Sequence, residues 1–389
     1  MRIVVLGGAG MMGCIAVRDL ACSEGVDEVV IGDLNREMAE KVAALLDRPN
    51  ISVAQVNVRD REALVALLRG ADACLNATVY YFNLDIMEAC LVAGVHYTDL
   101  GGLFHTTREQ LQFHGRFEAA GISAVLGVGS APGVPNVQAR YAADRLDTLE
   151  YIRIYDGIKP PPPDTVAFSY AVATIIDELT LAPVVYRDGE FVACTPLSEF
   201  EDYWFTPPIG LMPMHLSLHS EVATLPLSFR NKGLRECFFK INYWGMAPAL
   251  VEKIKVLADF GFAGREPVQV GGTSLAPRDL MVTLMSKHVP TIESFLAPPA
   301  NEPPNWTKEI VTEVKGMRDG ETVTYRLGTL AVKGALPTGV APSIVAQWLA
   351  QGRIVPGVRP PETALEPAPF FAALAKRGIP TQVSVTAFI

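Results

Sequence analysis

The sequence lacks paired cysteines and lacks an excess of positive charge. Its six cysteines include no C-x-x-C pair, and most of them lie in apolar stretches. This pattern argues against a disulfide framework or a zinc site and predicts buried, reduced thiols. Lysine and arginine number 33 against 42 aspartates and glutamates, so the net charge is −9. That balance disfavours a protein that binds nucleic acid or anionic membranes in general.

Long apolar runs and low-complexity tracts are also lacking. No apolar segment reaches the ~18 residues that a membrane-spanning helix needs. The first apolar strand begins at residue 2, so we expect no cleavable signal and a cytoplasmic location. Apart from a proline run at 159–163, no segment has a biased composition. With 389 residues, 49% of them hydrophobic, the chain is long enough for two domains with sizeable cores.

The chain does contain a glycine-rich motif between two apolar strands at its start. A short apolar run at 2–6 leads into Gly8, Gly10 and Gly13, which have G-x-G-x-x-G spacing. A periodic helix follows, and a second apolar strand ends at Asp33. This order is typical of a dinucleotide-binding βαβ unit. We expect Gly8 to permit the tight turn, Gly10 to let a pyrophosphate approach the backbone, and Gly13 to bring the helix close to the strand.

Asp33 indicates which cofactor to expect. A carboxylate at the end of the second strand accepts both hydrogen bonds from an adenosine ribose diol and repels a 2′-phosphate, so NAD is favoured over NADP. Arg36, close by in sequence, would soften that preference. The candidate cofactor-binding residues are Gly8, Ala9, Gly10, Met11, Met12, Gly13, Asp33, Leu34, Asn76, Ala77 and Pro132.

Strands and helices alternate regularly as far as residue 133, and after it strands of alternating polarity dominate. The fold class is therefore predicted as α/β: a Rossmann-type doubly wound parallel sheet plus an inserted α+β domain with a mostly antiparallel sheet. The Asp319-Gly320 pair between two such strands is a hairpin signal. The predicted boundaries are 1–133 for the dinucleotide-binding domain, 134–335 for the substrate and dimerisation domain, and 336–389 for C-terminal helices that return to the first domain.

Loops after the parallel strands provide the first candidates for chemistry, because ligands gather beyond the carboxyl ends of such strands. Asp99 would bind a substrate ammonium or accept its proton, or else cap the next backbone turn. Tyr81 and Asn83 would hydrogen-bond the cofactor or substrate, although Asn83 also suits a helix N-cap. The turn ending at Gly133 offers backbone N–H groups or serves as an interdomain hinge.

The second domain provides the remaining candidates. His219 and Glu221 form a polar pair in an apolar region, and a histidine suits proton shuttling at neutral pH. His215 competes for this role, and either ring could instead be an ordinary core histidine. Arg235 would bind a substrate carboxylate, or else lie on a solvated sheet face. His215 and His219 lack the glutamate of a zinc-protease motif and lie on a strand-like segment, so we expect no metal.

These motifs occur in an order that resembles the saccharopine dehydrogenase family over nearly the whole chain. They are VLGGAGMMG at 5–13, YFN at 81–83, TDLGG at 98–102, GSAPG at 129–133 followed by Asn136, HSE at 219–221, PRD at 277–279 and GVRPPE at 357–362. Within the family the sequence looks most like the lysine 6-dehydrogenases. The resemblance implies a Rossmann domain with an inserted α/β domain, a homodimer, and NAD(P)-linked oxidation at a carbon that bears nitrogen.

The sequence departs from the lysine 6-dehydrogenase pattern in the second domain. Gly245-Met246 stands where Gly-His is expected, and the segment 215–221 has fewer glycines than we expect of lysine 6-dehydrogenases. These departures weaken the case for lysine itself as the substrate.

The function predicted is a dehydrogenase that transfers hydride to NAD from the CH–NH carbon of a lysine-like amino acid or amine. Two alternatives stay open. One is reductive coupling of an amine with a keto acid or aldehyde, as in saccharopine or carboxynorspermidine reduction, which calls for more cationic anchors. The other is an NAD-binding protein without turnover. The predicted catalytic residues are Asp99, His219 and Tyr81, and the predicted substrate-binding residues are Asn83, Gly102, Gly133, Glu221 and Arg235.

Overall fold

The computed structural model describes residues 1–296 and 307–388. Its strands are β1 (Arg2–Leu6), β2 (Glu28–Asp33), β3 (Ile51–Gln55), β4 (Ala73–Asn76), β5 (His96–Asp99), β6 (Ser123–Val125), β7 (Thr148–Ile158), β8 (Val184–Arg187), β9 (Glu190–Ala193), β10 (Glu201–Trp204), β11 (Leu211–Leu216), β12 (Glu236–Ile241), β13 (Val268–Val270), β14 (Thr273–Leu275), β15 (Lys308–Arg318), β16 (Glu321–Ala331), β17 (Gly357–Arg359) and β18 (Thr381–Phe388).

The helices lie between these strands. They are α1 (Met11–Ala21), α2 (Arg36–Leu46), α3 (Arg61–Leu68), α4 (Asn83–Ala93), α5 (Leu103–Leu111), α6 (His114–Ala119), α7 (Val134–Ala143), α8 (Val172–Thr180), α9 (Glu221–Phe229), α10 (Pro248–Asp259), α11 (Pro277–Met285), α12 (Ile292–Leu296), α13 (Leu336–Ala350), α14 (Pro361–Ala364) and α15 (Pro367–Ala375). In the part of the chain that the structure describes, no helix has the length and apolar character needed to cross a membrane.

The first sheet has seven parallel strands in the order β17-β6-β5-β4-β1-β2-β3. The predicted doubly wound sheet is therefore confirmed, with one strand more than expected. The strand order reverses between β1 and β4, and a crevice opens at such a point beyond the carboxyl ends of the strands.

Apolar strands hold this sheet between two layers of helices. Side chains alternate across β1, so Ile3 and Val5 pack with α1 and α13 on one face. Val4 and Leu6 pack with α3 and α4 on the other face. All four are fully buried, as the strands of a sheet covered on both faces should be.

The second sheet runs in the order β10-β11-β12-β7-β15-β16-β18, with β8 and β9 attached at β12. Its β7–β12 pair is parallel and its other pairs are antiparallel, so the prediction of a mostly antiparallel sheet is confirmed. The predicted hairpin is β15–β16, where Arg318 pairs with Glu321. Asp319 and Gly320 in its turn both have positive φ, as a two-residue hairpin loop requires.

The C-terminal segment divides between the two sheets, which corrects the prediction that 336–389 simply returns as helices to the first domain. Helix α13 does pack against α1, but Gly357–Arg359 adds a parallel strand beside β6. Thr381–Phe388 then pairs with β16 in the second sheet. This last segment alternates Val and Thr with other small residues, a composition that favours strand over helix.

All six cysteines are unpaired thiols. Cys14, Cys74, Cys90 and Cys237 are buried as predicted, whereas Cys22 is exposed and Cys194 is partly exposed. Burial raises the pKa of Cys14 to about 12, so this thiol is unreactive at neutral pH.

Candidate active site

A cavity of about 760 Å³ lies between the carboxyl ends of the parallel strands and the second sheet. Its volume falls within the range of cofactor and small-molecule sites. The first domain contributes the glycine-rich turn, Asp33 and the loops after β4, β5 and β6. The second domain contributes residues from β7, α8, β12 and β15 and from the segment before α9. The cavity is therefore formed jointly by the two predicted domains.

The glycine-rich turn leaves room for a pyrophosphate. A Cβ on Gly13 would lie 2.1 Å from the Gly7 carbonyl oxygen, so the predicted close packing of α1 is confirmed. Gly10 precedes α1 without any side-chain cap, which leaves the first N–H groups of the helix available to an anion. One detail differs from the prediction: the left-handed residue of the tight turn is Gly7, with φ +71°, and not Gly8. Gly10, Met11 and Met12 line the cavity.

Asp33 lies at the adenosine end of this cradle, with Leu34 at its rim. Its carboxylate accepts hydrogen bonds from the N–H groups of Ala9 at 3.1 Å and Asn35 at 3.0 Å, which hold it in place. Arg36 instead pairs with Glu40 on the surface at 2.7 Å. The chain's own residues thus fit a dinucleotide, with an acid where the ribose diol would lie.

Arg59 is a cavity residue that sequence reasoning missed. It follows β3 and lines the cavity. Its guanidinium lies 5.3 Å from the centre of the Phe82 ring. Nothing in the local pattern distinguishes it from a surface arginine, because its place depends on where β3 ends in the sheet.

Asn76 holds the shape of the loop after β4 but does not itself line the cavity. The Asn76 side-chain oxygen accepts from the N–H of Thr78 at 3.0 Å and from its hydroxyl at 2.6 Å. Asn76 also donates to Asn83 at 2.9 Å. The loop thereby presents Ala77 and Thr78 to the cavity, together with Pro132 from the loop after β6.

Asp99 is enclosed beneath these loops and does not line the cavity, which corrects its prediction as a catalytic residue. It is 1% exposed, and burial raises its pKa although its donors act in the opposite direction. Those donors are the N–H groups of Gly101 and Gly127 at 3.0 and 2.7 Å, the Tyr97 hydroxyl at 2.9 Å, the Gln110 amide at 2.6 Å and the Asn83 amide at 3.3 Å. Asp99 is thus the alternative that the sequence left open, an acid that caps the following turn.

Asn83 belongs to the same buried network and not to the substrate site. Its amide also donates to the Gly101 carbonyl at 3.1 Å, and its side chain is 1% exposed. The predicted substrate contact is therefore replaced by a structural one.

Tyr81 points away from the cavity into a cluster that joins the two domains. Its hydroxyl donates to Asp177 in α8 and accepts from Arg265 and Arg278, both at 2.9 Å. Tyr80 also donates to Asp177, at 2.9 Å, and its ring lines the cavity. Of the two adjacent tyrosines, Tyr80 lines the cavity, whereas Tyr81, the one predicted as catalytic, lies in this interdomain cluster.

His219 lies on the cavity wall, as predicted, and Glu221 stands behind it. The His219 Nδ1 is hydrogen-bonded to the Glu221 carboxylate, and the ring stacks on Phe239 with centres 3.8 Å apart. Burial opposes a charged ring, but Glu221, Glu178 and Asp156 together raise the pKa of His219 above its ordinary value. With Nδ1–H directed to a carboxylate, Nε2 is the atom left to exchange a proton in the cavity.

His215 is excluded from that role. It is fully buried, and neither ring nitrogen has a hydrogen-bond partner in the described structure. It lies among the rings of Phe200, Tyr243 and Trp244. Burial lowers its pKa to about 4, so the ring stays neutral.

Three charged residues of the second domain were missed by sequence reasoning. Asp156 in β7 is 2% exposed and accepts from the Lys308 Nζ of β15 at 2.7 Å. Glu178 in α8 accepts from the Tyr170 hydroxyl at 2.8 Å and from the Trp244 indole. All three line the cavity, and burial raises the pKa of both acids. The available signal was an acid inside an apolar run, in YIRIYDGI and ATIIDELT.

The remaining predicted substrate contacts lie outside the cavity lining. Gly102 donates to Ser220 at 3.3 Å, and Gly133 donates to Asn136 at 3.0 Å in a tight turn with φ +117°. The Arg235 side chain is 72% exposed and pairs with Asp188 on the surface. Arg235 therefore lies on a solvated surface, the second of its two predicted alternatives, and not at a substrate carboxylate in the cavity. Over residues 1–296 and 307–388, no three His, Cys, Asp or Glu side chains are grouped to hold a metal ion.

Comparison with known proteins places nearly the whole chain in one group. Residues 3–125 match the model of the saccharopine dehydrogenase NADP binding domain, and residues 129–379 match that of the saccharopine dehydrogenase C-terminal domain. Carboxyaminopropylagmatine dehydrogenase of Synechocystis is 24% identical over 402 residues, which cover 98% of this chain and 97% of that protein. Carboxynorspermidine synthase of Vibrio alginolyticus is 25% identical over 346 residues, with coverage of 82% and 79%.

A solved structure supports the same fold. Saccharopine dehydrogenase (L-Glu forming) from Saccharomyces cerevisiae matches with a TM-score of 0.69 over 99% of both chains, at 16% identity. The fold of this chain is thus one already seen in a solved structure.

Proposed function

This chain belongs to the saccharopine dehydrogenase family, and from that premise we propose an NAD(P)-dependent oxidoreductase that makes or breaks a secondary amine. The observation that carries the proposal is a cluster of charges opposite the dinucleotide cradle. Asp156, Glu178 and Glu221 are three acids, whereas Lys308 and His219 are two basic groups, so the acids outnumber the bases by one. Burial raises the pKa of Asp156 and Glu178, because a carboxylate removed from water is costly. A positively charged substrate nitrogen would stabilise such a carboxylate.

We propose reductive coupling of a primary amine with a carbonyl acid as the working direction. The two curated relatives are named as a dehydrogenase and a synthase of carboxyl-bearing amines, which favours this reading for the present chain. Oxidation of a lysine-like amino acid, the other candidate, would use the same groups in reverse. A homodimer stays a prediction from the resemblance, and a cytoplasmic location stays a prediction from the cysteines and the first strand.

The chain's own residues can perform the proton chemistry. In the coupling direction amine and carbonyl lose water to form an imine, whose protonated nitrogen is stabilised by Glu178. A bound NAD(P) would supply hydride to the imine carbon, or accept it in the reverse direction. In reverse, His219 Nε2 takes the amine proton as the C=N bond forms, and Glu221 stabilises the charged ring. Apolar side chains such as Ile158, Ile241 and Leu103 line the cavity and limit the access of water.

We propose NAD as the preferred cofactor. The support is the Asp33 carboxylate, held by two backbone N–H groups where a 2′-phosphate would have to lie. Arg36 does not offset it, because its guanidinium is paired with Glu40.

The test is absorbance of the reduced nicotinamide with the full-length protein. Lysine, putrescine, diaminopropane and agmatine would each be tried with a 2-oxo acid or an amino-acid semialdehyde and NADH or NADPH, and each alone with NAD or NADP. Cofactor consumption that needs both an amine and a carbonyl acid supports coupling. Turnover with an amine alone supports oxidation. Cofactor binding without turnover across the panel would favour the non-catalytic alternative and contradict the proposal.

A further inference from the structure

Two permanent cations line the described cavity, and they belong to different domains. Arg59 follows β3 in the first domain, where its guanidinium lies over the Phe82 ring. Lys308 lies in the second domain with Asp156, Glu178 and His219. The Lys308 side chain is 14% exposed, so it is sheltered from water but open to the cavity. A substrate anion in the reaction half of the cavity would therefore meet Lys308.

The Lys308–Asp156 pair is only half satisfied. Lys308 donates to one Asp156 oxygen at 2.7 Å. The other oxygen, Oδ1, is buried and has no hydrogen-bond partner in the structure described. A buried carboxylate oxygen without a donor costs free energy, and an ammonium group has two further N–H groups to donate. Side by side, these atoms offer a donor for a carboxylate and an acceptor for an ammonium.

A second lysine–acid pair in the same sheet, with a buried lysine and a partly exposed glutamate, lies away from the cavity and serves for comparison. Lys240 in β12 donates to Glu201 at 2.6 Å, and the lysine side chain is 7% exposed. Lys240 is opposite Tyr155 in the register, whereas Asp156 is opposite Ile241, so the two pairs lie on opposite faces of the sheet. Lys240 and Glu201 do not line the cavity.

We propose that Lys308 and Asp156 form the subsite for an amino-acid head group, with Lys308 on the carboxylate and Asp156 on the ammonium. This rests on the function proposed above and names the substrate class: an amine that carries a zwitterionic amino-acid end. Within this subsite Asp156 would repel a carboxylate that has no ammonium beside it, so the carbonyl acid is not its proposed occupant. A zwitterion is neutral overall and matches both members of the pair.

The test uses pairs of compounds that differ only in the carboxylate: lysine with cadaverine, and arginine with agmatine. Binding to the NAD-saturated protein would be measured by titration calorimetry, for the wild type and for Lys308→Met, Lys308→Arg and Lys240→Met. We expect the wild type to prefer at least one carboxylated compound. Lys308→Met should weaken its binding by about 10- to 100-fold, the range for a charged hydrogen bond, with the decarboxylated compound unaffected. Lys308→Arg should keep part of the preference, and Lys240→Met should keep all of it.

Several outcomes would overturn the assignment. Two concern the wild type: equal binding within both pairs of compounds, or no binding of any of the four. Two concern the variants: a preference for the carboxylated compound that survives Lys308→Met, or one that Lys240→Met also removes. If Lys308→Met fails to fold because Asp156 is left unpaired, the double variant Lys308→Met with Asp156→Asn removes both charges and is measured in its place. Turnover in the substrate panel without any preference for carboxylated compounds would contradict the head-group subsite but support the oxidoreductase. A binding preference that depends on Lys308, in the absence of any turnover, would support the subsite and contradict the oxidoreductase.

Discussion

Two buried aspartates, one in each sheet, differ in a way that separates structure from chemistry. Asp99 at the end of β5 accepts five hydrogen bonds from four segments of the first domain. Asp156 in β7 has one ion pair, with Lys308, and one bare oxygen. Both are almost fully buried, and burial raises the pKa of both. Only Asp156 lines the cavity.

The difference shows that burial and a shifted pKa do not by themselves identify a functional acid. A carboxylate whose lone pairs are all used by the protein has nothing left for a ligand and acts as a cross-link between loops. A carboxylate with an unused oxygen on a cavity wall retains a site for a donor. The predictions below test that difference, from the largest expected effect to the smallest.

Asp99→Ala should destabilise the protein most. It leaves several buried donors without an acceptor, so we expect the free energy of unfolding to fall by ~3 kcal/mol or more, measured by denaturant or thermal unfolding. Asp188→Asn, which removes a surface charge and suits the positive φ of that turn residue, serves as the control and should leave the unfolding midpoint unchanged. An Asp99→Ala protein as stable as the wild type, but inactive, would restore Asp99 as a catalytic candidate.

His219→Gln should reduce kcat/KM by about 10²- to 10⁴-fold, the usual contribution of general acid–base catalysis. The ring reaches the cavity, so the variant should keep its fold and its affinity for the dinucleotide. Steady-state kinetics and calorimetry with NAD check both points. His215→Gln is the matched control, since that ring has no access to the cavity, and a comparable loss in both variants would argue against proton transfer by His219.

Asp156→Asn should raise the KM for the amine by about tenfold or more, because a charge-assisted hydrogen bond becomes a neutral one. The cofactor affinity and the thermal midpoint should change little, in contrast to Asp99→Ala. A variant with a lowered thermal midpoint of unfolding but an unchanged KM would show that Asp156, like Asp99, has a structural role.

Asp33→Ser should move the ratio of kcat/KM for NAD to that for NADP by about tenfold towards NADP, a difference of 1.4 kcal/mol. The reason is that the carboxylate repelling a 2′-phosphate is removed. Arg36→Ala should leave the ratio unchanged, because Arg36 is already paired with Glu40. A large effect of Arg36→Ala would show that its surface pair opens when the cofactor binds.

The smallest expected effect is a shift in the pH dependence of the oxidation rate on substitution of Glu221. Oxidation requires a neutral His219, so its rate should fall as the pH decreases through the raised pKa of that ring. Glu221 favours the charged ring, together with Glu178 and Asp156, and Glu221→Gln should therefore move this limb of the profile to lower pH. Movement to higher pH, or none, would show that another group controls the limb. The coupling direction should show the opposite dependence, since it needs the ring as an acid.

Residues in a continuous local motif were predicted well. Gly10, Gly13 and Asp33 are placed by strand, turn and helix geometry within about 30 residues of chain. Gly10 and Asp33 line the cavity, and Gly13 packs α1 closely against the turn. The loop after β4 was also found, because parallel strands end at one edge of a sheet. Which of its tyrosines faces the cavity could not be predicted, because Tyr81 turns towards Asp177, Arg265 and Arg278, which are distant in sequence.

The sequence alone determined the dinucleotide cradle, the alternation of strands and helices, and the family, because these depend on local spacing and on side-chain polarity along single elements. The tertiary structure decided the reaction end of the cavity. Asp156, Glu178, His219 and Lys308 come from four separate parts of the chain. These side chains face one cavity only after the second sheet has packed over the first. No local rule specifies which buried acids have all their hydrogen bonds satisfied by the protein and which keep an oxygen available to a ligand.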